Sequence, residues 1–303
     1  MRRPRQSVIV AAAFVGLSSL SVDGQFRYRT GIDVAGFTVT VVDRAGEPVQ
    51  NLEADDFEVK EDGTPQSVSY FSTSAAQDAI PLHIGLLFDI SESMQRDLTF
   101  SRNAAMKFLN TFPKAEDFTL VEFSDEVRAA RFSQSEFPRL VERIRNGKAK
   151  GRTSLYDAAT VYLGSAFDQT GRKVLVIYTD GDDTASSRSW DETLHTLRAS
   201  DVTVYPVGFF AGRGSPRLML QSRLNEIARL TGGRAVFPDS MKELEPMYES
   251  IAREIHGQYL LGYVPTNALR DGKWRKVEIK LKRPPSPRVQ IRTREGYFAP
   301  GPN

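Results

Sequence analysis

The chain has 303 residues, 40% of them hydrophobic, with 40 basic and 38 acidic side chains and no cysteine. That length buries at least one substantial core and commonly more than one folding unit. The lack of cysteine excludes disulfides, thiolate metal sites and a cysteine nucleophile. His83, His195 and His256 lie far apart in sequence and form no two-histidine helical motif, so each reads as structural.

In chain order, Arg2, Arg3 and Arg5 precede the apolar run SVIVAAAFVGLSSL, and Val22 and Gly24 stand at the spacing that a signal peptidase reads. Residues 1–24 are therefore expected to be a secretory signal, and the protein to be exported, periplasmic or extracellular. The run of about 15 residues falls short of the roughly 20 that a spanning helix needs, so membrane contact is expected only if the signal is not cleaved. No cysteine follows it, which removes a lipoprotein anchor. Cleavage after Gly24 takes away three arginines and one aspartate and leaves 37 basic and 37 acidic residues, a neutral chain with no surplus charge to displace counterions from nucleic acid.

Residues 25–80 carry four basic and ten acidic side chains, and residues 259–303 carry ten basic and three acidic. Both segments alternate apolar and polar residues around glycine-containing turns, as in FTVTVVDRAGEPV and DFEVKEDGTPQSVSYF at one end and RKVEIKLKR and VQIRTREGYF at the other. The expectation is a small β domain built jointly from the two ends, with acidic strands beside basic ones; the alternative is that each tail lies separately on the main domain. The runs RYRTGID and KRPPSPR read as solvated strand edges.

Between them, residues 81–258 alternate short apolar runs with longer amphipathic segments. IGLLFDI, FTLVEFS, VRAARFS, KVLVIYTDG, VTVYPVGFF and RAVFP read as strands. LTFSRNAAMKFLNTF, FPRLVERI, LYDAATVYLGSAF, DETLHTLRAS, RLNEIARLTGG and a last segment near 241–257 read as helices. Strands apolar on both faces are covered by helices on both sides, which predicts an α/β fold with a doubly wound, mostly parallel, Rossmann-like sheet. GRGSPR, 212–217, is expected to be either a flexible loop over the site or a surface turn.

In such a fold ligands sit beyond the carboxyl ends of the strands, where strand order reverses. Asp89 ends the first apolar strand, Ser91 and Ser93 follow in its loop, Thr153 lies in a loop entering a helix, and Asp180 ends another apolar strand. Five oxygen-bearing side chains from three loops are thus expected to converge. Hydroxyls and carboxylates without nitrogen or sulfur suit hard cations, Mg²⁺ first, with Mn²⁺ or Ca²⁺ also admissible.

At these residues the chain resembles the von Willebrand factor type A domain and its metal ion-dependent adhesion site. That family's pattern of Asp-x-Ser-x-Ser, a distant Thr and a distant Asp followed by Gly is met by Asp89, Ser91, Ser93, Thr153, Asp180 and Gly181. The resemblance implies a cation bound directly or through water, with an open position that takes a Glu or Asp carboxylate from a partner protein. Glu92, Ser154, Asp182 and Asp183 are rim candidates for specificity. The flanks, VVDRAGEPVQNLEADDFEVKEDGTPQSV and the segment from QYLLGYVP onward, look like the exported bacterial proteins described as acidobacterial type A-related.

Two other readings stay open. A strand ending in Asp with a later TDGDD also resembles aspartate-nucleophile, Mg²⁺-dependent phosphatases of the haloacid dehalogenase type, but the second aspartate those enzymes place two residues on is here Ser91. A metal that only orders the loops is the other. A serine hydrolase lacks its Gly-x-Ser-x-Gly elbow, and no catalytic residue is expected.

Overall fold

The computed structural model describes residues 26–27, 33–73, 80–96, 98–180, 182–209, 215–285 and 288–302. The expected signal at 1–24 and Gly181 lie outside them, as do parts of RYRTGID, GRGSPR and KRPPSPR. Five strands come first: β1 (Phe26–Arg27), β2 (Asp33–Val42), β3 (Phe57–Glu61), β4 (Thr64–Gln66) and β5 (Val68–Ser72). An alternating α/β stretch follows: β6 (Leu82–Asp89), α1 (Leu98–Leu109), β7 (Asp117–Phe123), β8 (Val127–Ser133), α2 (Phe137–Asn146), α3 (Leu155–Ala166), β9 (Arg172–Thr179), α4 (Trp190–Ala199), β10 (Thr203–Gly208), α5 (Ser215–Thr231) and α6 (Met241–His256). The chain closes with β11 (Tyr259–Tyr263), β12 (Trp274–Leu281), β13 (Gln290–Arg292) and β14 (Gly296–Phe298).

The central sheet has the order β10-β9-β6-β7-β8, parallel except for the β7/β8 hairpin. All eight residues of β6 and of β9 are buried, which is why these segments are apolar without alternation. Ile84, Leu86, Phe88, Val174 and Val176 pack on one face against α1, α2 and α6. Leu87, Leu175 and Ile177 pack on the other against α3, α4 and α5. Gly85 gives α3 its close approach, since a Cβ there would stand 2.1 Å from the Tyr162 ring. The doubly wound fold expected from the sequence is the one observed.

RAVFP differs from expectation. Only Val236 pairs, in an isolated parallel bridge to Val207. The reason is steric: the chain enters from Gly233, whose missing side chain lets it lie against the Val204 carbonyl, and it leaves at Pro238, which has no amide hydrogen to donate. Likewise, Ser215–Arg217 of the GRGSPR stretch already belong to α5.

The ends of the chain build two antiparallel sheets. One has the order β1-β2-β11-β5 with β13 also on β2, and the other β14-β12-β3-β4. β11 lies between β2 and β5, with Leu261 opposite both Phe37 and Phe71, so a strand from after α6 is flanked by two from the amino-terminal segment. The two tails share one core through Phe37, Phe57, Tyr259, Tyr263, Val277 and Tyr297, which rules out separately lying tails. β3 and β12 place Glu58 opposite Lys280 and Lys60 opposite Glu278, the acid-to-base register that the charge split anticipates. The ion pairs on that face nevertheless run along each strand: Lys60–Glu58 at 3.1 Å and Lys276–Glu278 at 2.7 Å.

Charged groups also tie the β unit to the α/β body. Glu254 of α6 is 1% exposed. Arg234 donates to its Oε1 at 2.7 Å, and Arg292 of β13 donates to its Oε2. Buried Arg294 donates to Gly36 O in β2 at 2.9 Å and to Ser200 O after α4 at 3.3 Å, with its guanidinium 4.7 Å above the Phe37 ring. Replacing Glu254 by Ala leaves two arginines without their shared counter-charge. We expect a loss of about 2 kcal/mol in chemical denaturation after allowance for the arginines' partial exposure. Arg253→Ala, which breaks only the exposed Arg253–Glu47 pair, should cost less than about 0.5 kcal/mol.

Candidate metal centre

β6 and β9 are neighbours whose onward connections run in opposite directions, through α1 to β7 and through α4 to β10. Their carboxyl ends therefore flank the crevice where strand order reverses. Asp89 is the last residue of β6 and Asp180 directly follows β9.

Asp89 is completely buried. Its Oδ1 accepts the Ser91 amide at 2.8 Å, and its Oδ2 accepts the Thr179 hydroxyl at 2.6 Å. The Ser91 and Ser93 hydroxyls are 3.0 Å apart, and Ser93 donates to Asp180 Oδ1 at 2.7 Å. Ser91 is buried and Ser93 is exposed, so the cluster runs from the sheet interior to the surface. Thr153 reaches this edge through its backbone: its carbonyl accepts the Thr184 and Ala185 amides at 2.8 and 3.0 Å. Gly151 O accepts the Glu92 amide at 3.0 Å. Each of the three loops is therefore hydrogen-bonded to the other two. Gly151 makes the turn possible, with φ of +76° and Asp125 Oδ2 standing 2.0 Å from where a Cβ would sit.

Burial pushes the Asp89 carboxyl up to about 6, against the lowering effect of its hydrogen bonds and with a smaller upward contribution from Asp180. Among the described residues no basic side chain pairs with it. A sealed carboxylate without a counter-charge, next to three hydroxyls and a second carboxylate, fits a hard divalent cation. The described residues contain no group of three or more His, Cys, Asp or Glu able to hold a metal. The candidate donors are instead mostly hydroxyls.

The expected rim residues divide. Glu92 is exposed. Ser154 is only 2% exposed and cannot present itself to a partner, a correction that follows from its position at the start of α3. Asp182 Oδ1 accepts from Arg223 of α5 at 2.7 Å. Asp183 accepts the Tyr156 amide at 3.0 Å and the Ser186 hydroxyl at 2.5 Å, so it holds the start of α3. Thr179, Asp157 and Arg223 also belong to this network, though the sequence does not single them out. Thr179 has a signal, a hydroxyl directly before the strand-end aspartate. Asp157, which accepts the Ser187 and Arg188 amides at 2.9 and 3.1 Å, and Arg223, which also reaches the Tyr156 hydroxyl at 2.7 Å and lies 5.6 Å from the Trp190 ring centre, are joined to the site only by folding.

The von Willebrand factor type A domain model matches residues 83–249, and the chain belongs to that family. Among solved structures, a von Willebrand factor type A protein from Catenulispora acidiphila superposes with a TM-score of 0.50 at 10% identity, over 90% of this chain and 76% of that one. The open form of the pilus adhesin SpaC from Lactobacillus rhamnosus GG gives 0.50 at 11% identity, over 86% and 48%. The PilB minor pilin from Streptococcus sanguinis gives 0.49 at 14% identity, over 58% and 61%. The chain thus spans less than two thirds of the pilin and the adhesin. No curated protein matches it.

The raised Asp89 value has a consequence for the metal-free fold. Because the folded value lies above the ordinary 3.8, ionising Asp89 costs stability. That cost is absent below about pH 4, grows as pH rises and reaches about 3 kcal/mol above pH 6. Asp89→Asn should therefore raise the melting temperature in chelator at pH 7.5 by several degrees, with the gain shrinking toward zero at pH 4, as read by scanning calorimetry.

Proposed function

We propose that this protein is a divalent-cation-dependent protein-binding module for adhesion or assembly. Asp89, Ser91, Ser93, Thr153 and Asp180 are the residues we assign to the cation, Mg²⁺ first and Mn²⁺ or Ca²⁺ next. The observation that carries the reading is the buried Asp89 carboxylate, without a basic partner among the described residues, at the strand-order crevice. When bound, the cation supplies a Lewis-acidic position that a partner's Glu or Asp carboxylate completes.

The chain's own groups do the rest. Thr179 and the Ser91 amide orient the Asp89 carboxylate, and Ser93 links the first loop to Asp180. Arg223 and Asp183 fix the loop that follows Asp180 against α5 and α3. We assign residues 81–258 to this module, residues 25–80 and 259–303 to the β unit, and residues 1–24 to an export signal. That places the protein in the periplasm or outside the cell. No helix of the described residues is long and apolar enough to cross a membrane. The likeness to the SpaC pilus adhesin supports partner binding at the level of fold. Ser91 lies where a phosphatase of the alternative class needs its general acid, and its hydroxyl is turned toward Ser93.

Titration calorimetry with MgCl₂, MnCl₂ and CaCl₂ should show saturable uptake at millimolar concentration. Thr153→Ala should weaken it about tenfold or more, and uptake should fall by about tenfold per pH unit below pH 6 as Asp89 takes up a proton. A pull-down from the native envelope should retain partner protein with Mg²⁺ and lose it with EDTA. Absence of any uptake of the three ions would sink the assignment.

A further inference from the structure

The segment after β12 changes sheets. Gln290–Arg292 pairs with β2 in the first sheet, whereas Gly296–Phe298 pairs with residues 274–276 of β12 in the second. The crossing between them, Thr293–Glu295, is pinned by α5. Gly232 at the end of that helix has a φ of +78°, and a Cβ on it would stand 2.5 Å from the Thr293 carbonyl carbon. The last contact on this edge of β12 is the Val277 amide donating to Glu295 O at 2.9 Å. Among the described residues, β12 is paired from Glu278 to Leu281 by β3 alone, on its opposite edge.

The divergence opens a wedge of about 610 Å³ between Lys276–Lys280, Ile291–Glu295 and the carboxyl-terminal part of α5. Its charge is lopsided. Arg229 pairs with Glu295, but Lys276 and Lys280 share the single carboxylate of Glu278, and Arg234 and Arg292 share Glu254. Basic groups thus outnumber their partners around an open strand edge. Lysines on a free edge oppose pairing with a second copy of that edge and favour an acidic strand.

We propose that this wedge is a second binding site, for an extended acidic peptide segment that adds to the free edge of β12 beyond Val277. Its backbone pairs with Ile279 and Leu281 and its carboxylates meet Lys276, Lys280 and Arg292. It is separate from the candidate metal centre and needs no cation.

The test uses the full chain in EDTA and a short fluorescent peptide alternating glutamate and valine, followed by anisotropy. We expect saturable binding that is about tenfold weaker for Lys276→Glu/Lys280→Glu, whose side chains are exposed. Binding should be lost for peptides N-methylated on alternate amides, in either register, a change that leaves the protein untouched. No binding at millimolar peptide overturns the proposal. So does equal binding of the N-methylated peptides, or displacement by polyphosphate with no difference between the peptides, since either makes the wedge a purely electrostatic anion cleft.

Discussion

The arrangement turns on one carboxylate. Asp89 ends a strand that is buried on both faces, so the same apolar register that builds the sheet carries its side chain out of water. Two hydrogen bonds satisfy part of its capacity, but no basic residue among those described supplies a charge. Ionising such a group within the apo fold is unfavourable, which is the physical basis of our proposal that a cation supplies the missing charge. Asp89 lies at the reversal of strand order, where the connections after β6 and β9 leave to opposite sides of the sheet and a crevice forms between them.

Around this group the loops act as one body. The first touches the second through Gly151 and the third through Ser93, while the second and third are joined through Thr153. Asp157 and Asp183 each gather donors from across the α3 and Asp180 loop boundary, and Arg223 brings α5 into the same network. Acidic residues that would be read as a binding rim are therefore partly consumed in holding shape. Of the four rim candidates, Glu92 is the one whose side chain is exposed and takes no part in this network in the described contacts, while its amide donates to Gly151 O.

The second unit owes its existence to the topology of the chain ends. With β11 inserted between β2 and β5, neither tail can complete its sheet without the other, and the α/β body is held at both of its ends. Glu254 and Arg294 fasten that unit to the body with groups buried from solvent. The same interleaving forces the last segment to serve both sheets, and the wedge beside β12 is the geometric remainder of that switch.

The sequence by itself determined the three-layer body and the β character of both tails, and it supplied the five residues proposed as ligands. These depend on local periodicity and on which residue ends a strand, properties carried by neighbouring positions: IGLLFDI and KVLVIYTDG show both. It also anticipated that acidic and basic tails pair, because opposite charge is additive along a segment. It misread RAVFP, where an apolar run has strand composition but Gly233 and Pro238 restrict it to a single bridge. It could not see that Ser154 is covered, that Asp182 and Asp183 are occupied, or that Arg223 stands beside them, since those contacts span 27 to 41 residues and exist only once α3, α5 and β9 are packed. The burial of Asp89 belongs to tertiary structure for the same reason: composition gives the carboxylate, but only packing removes the water and, among the described residues, leaves it without a basic partner.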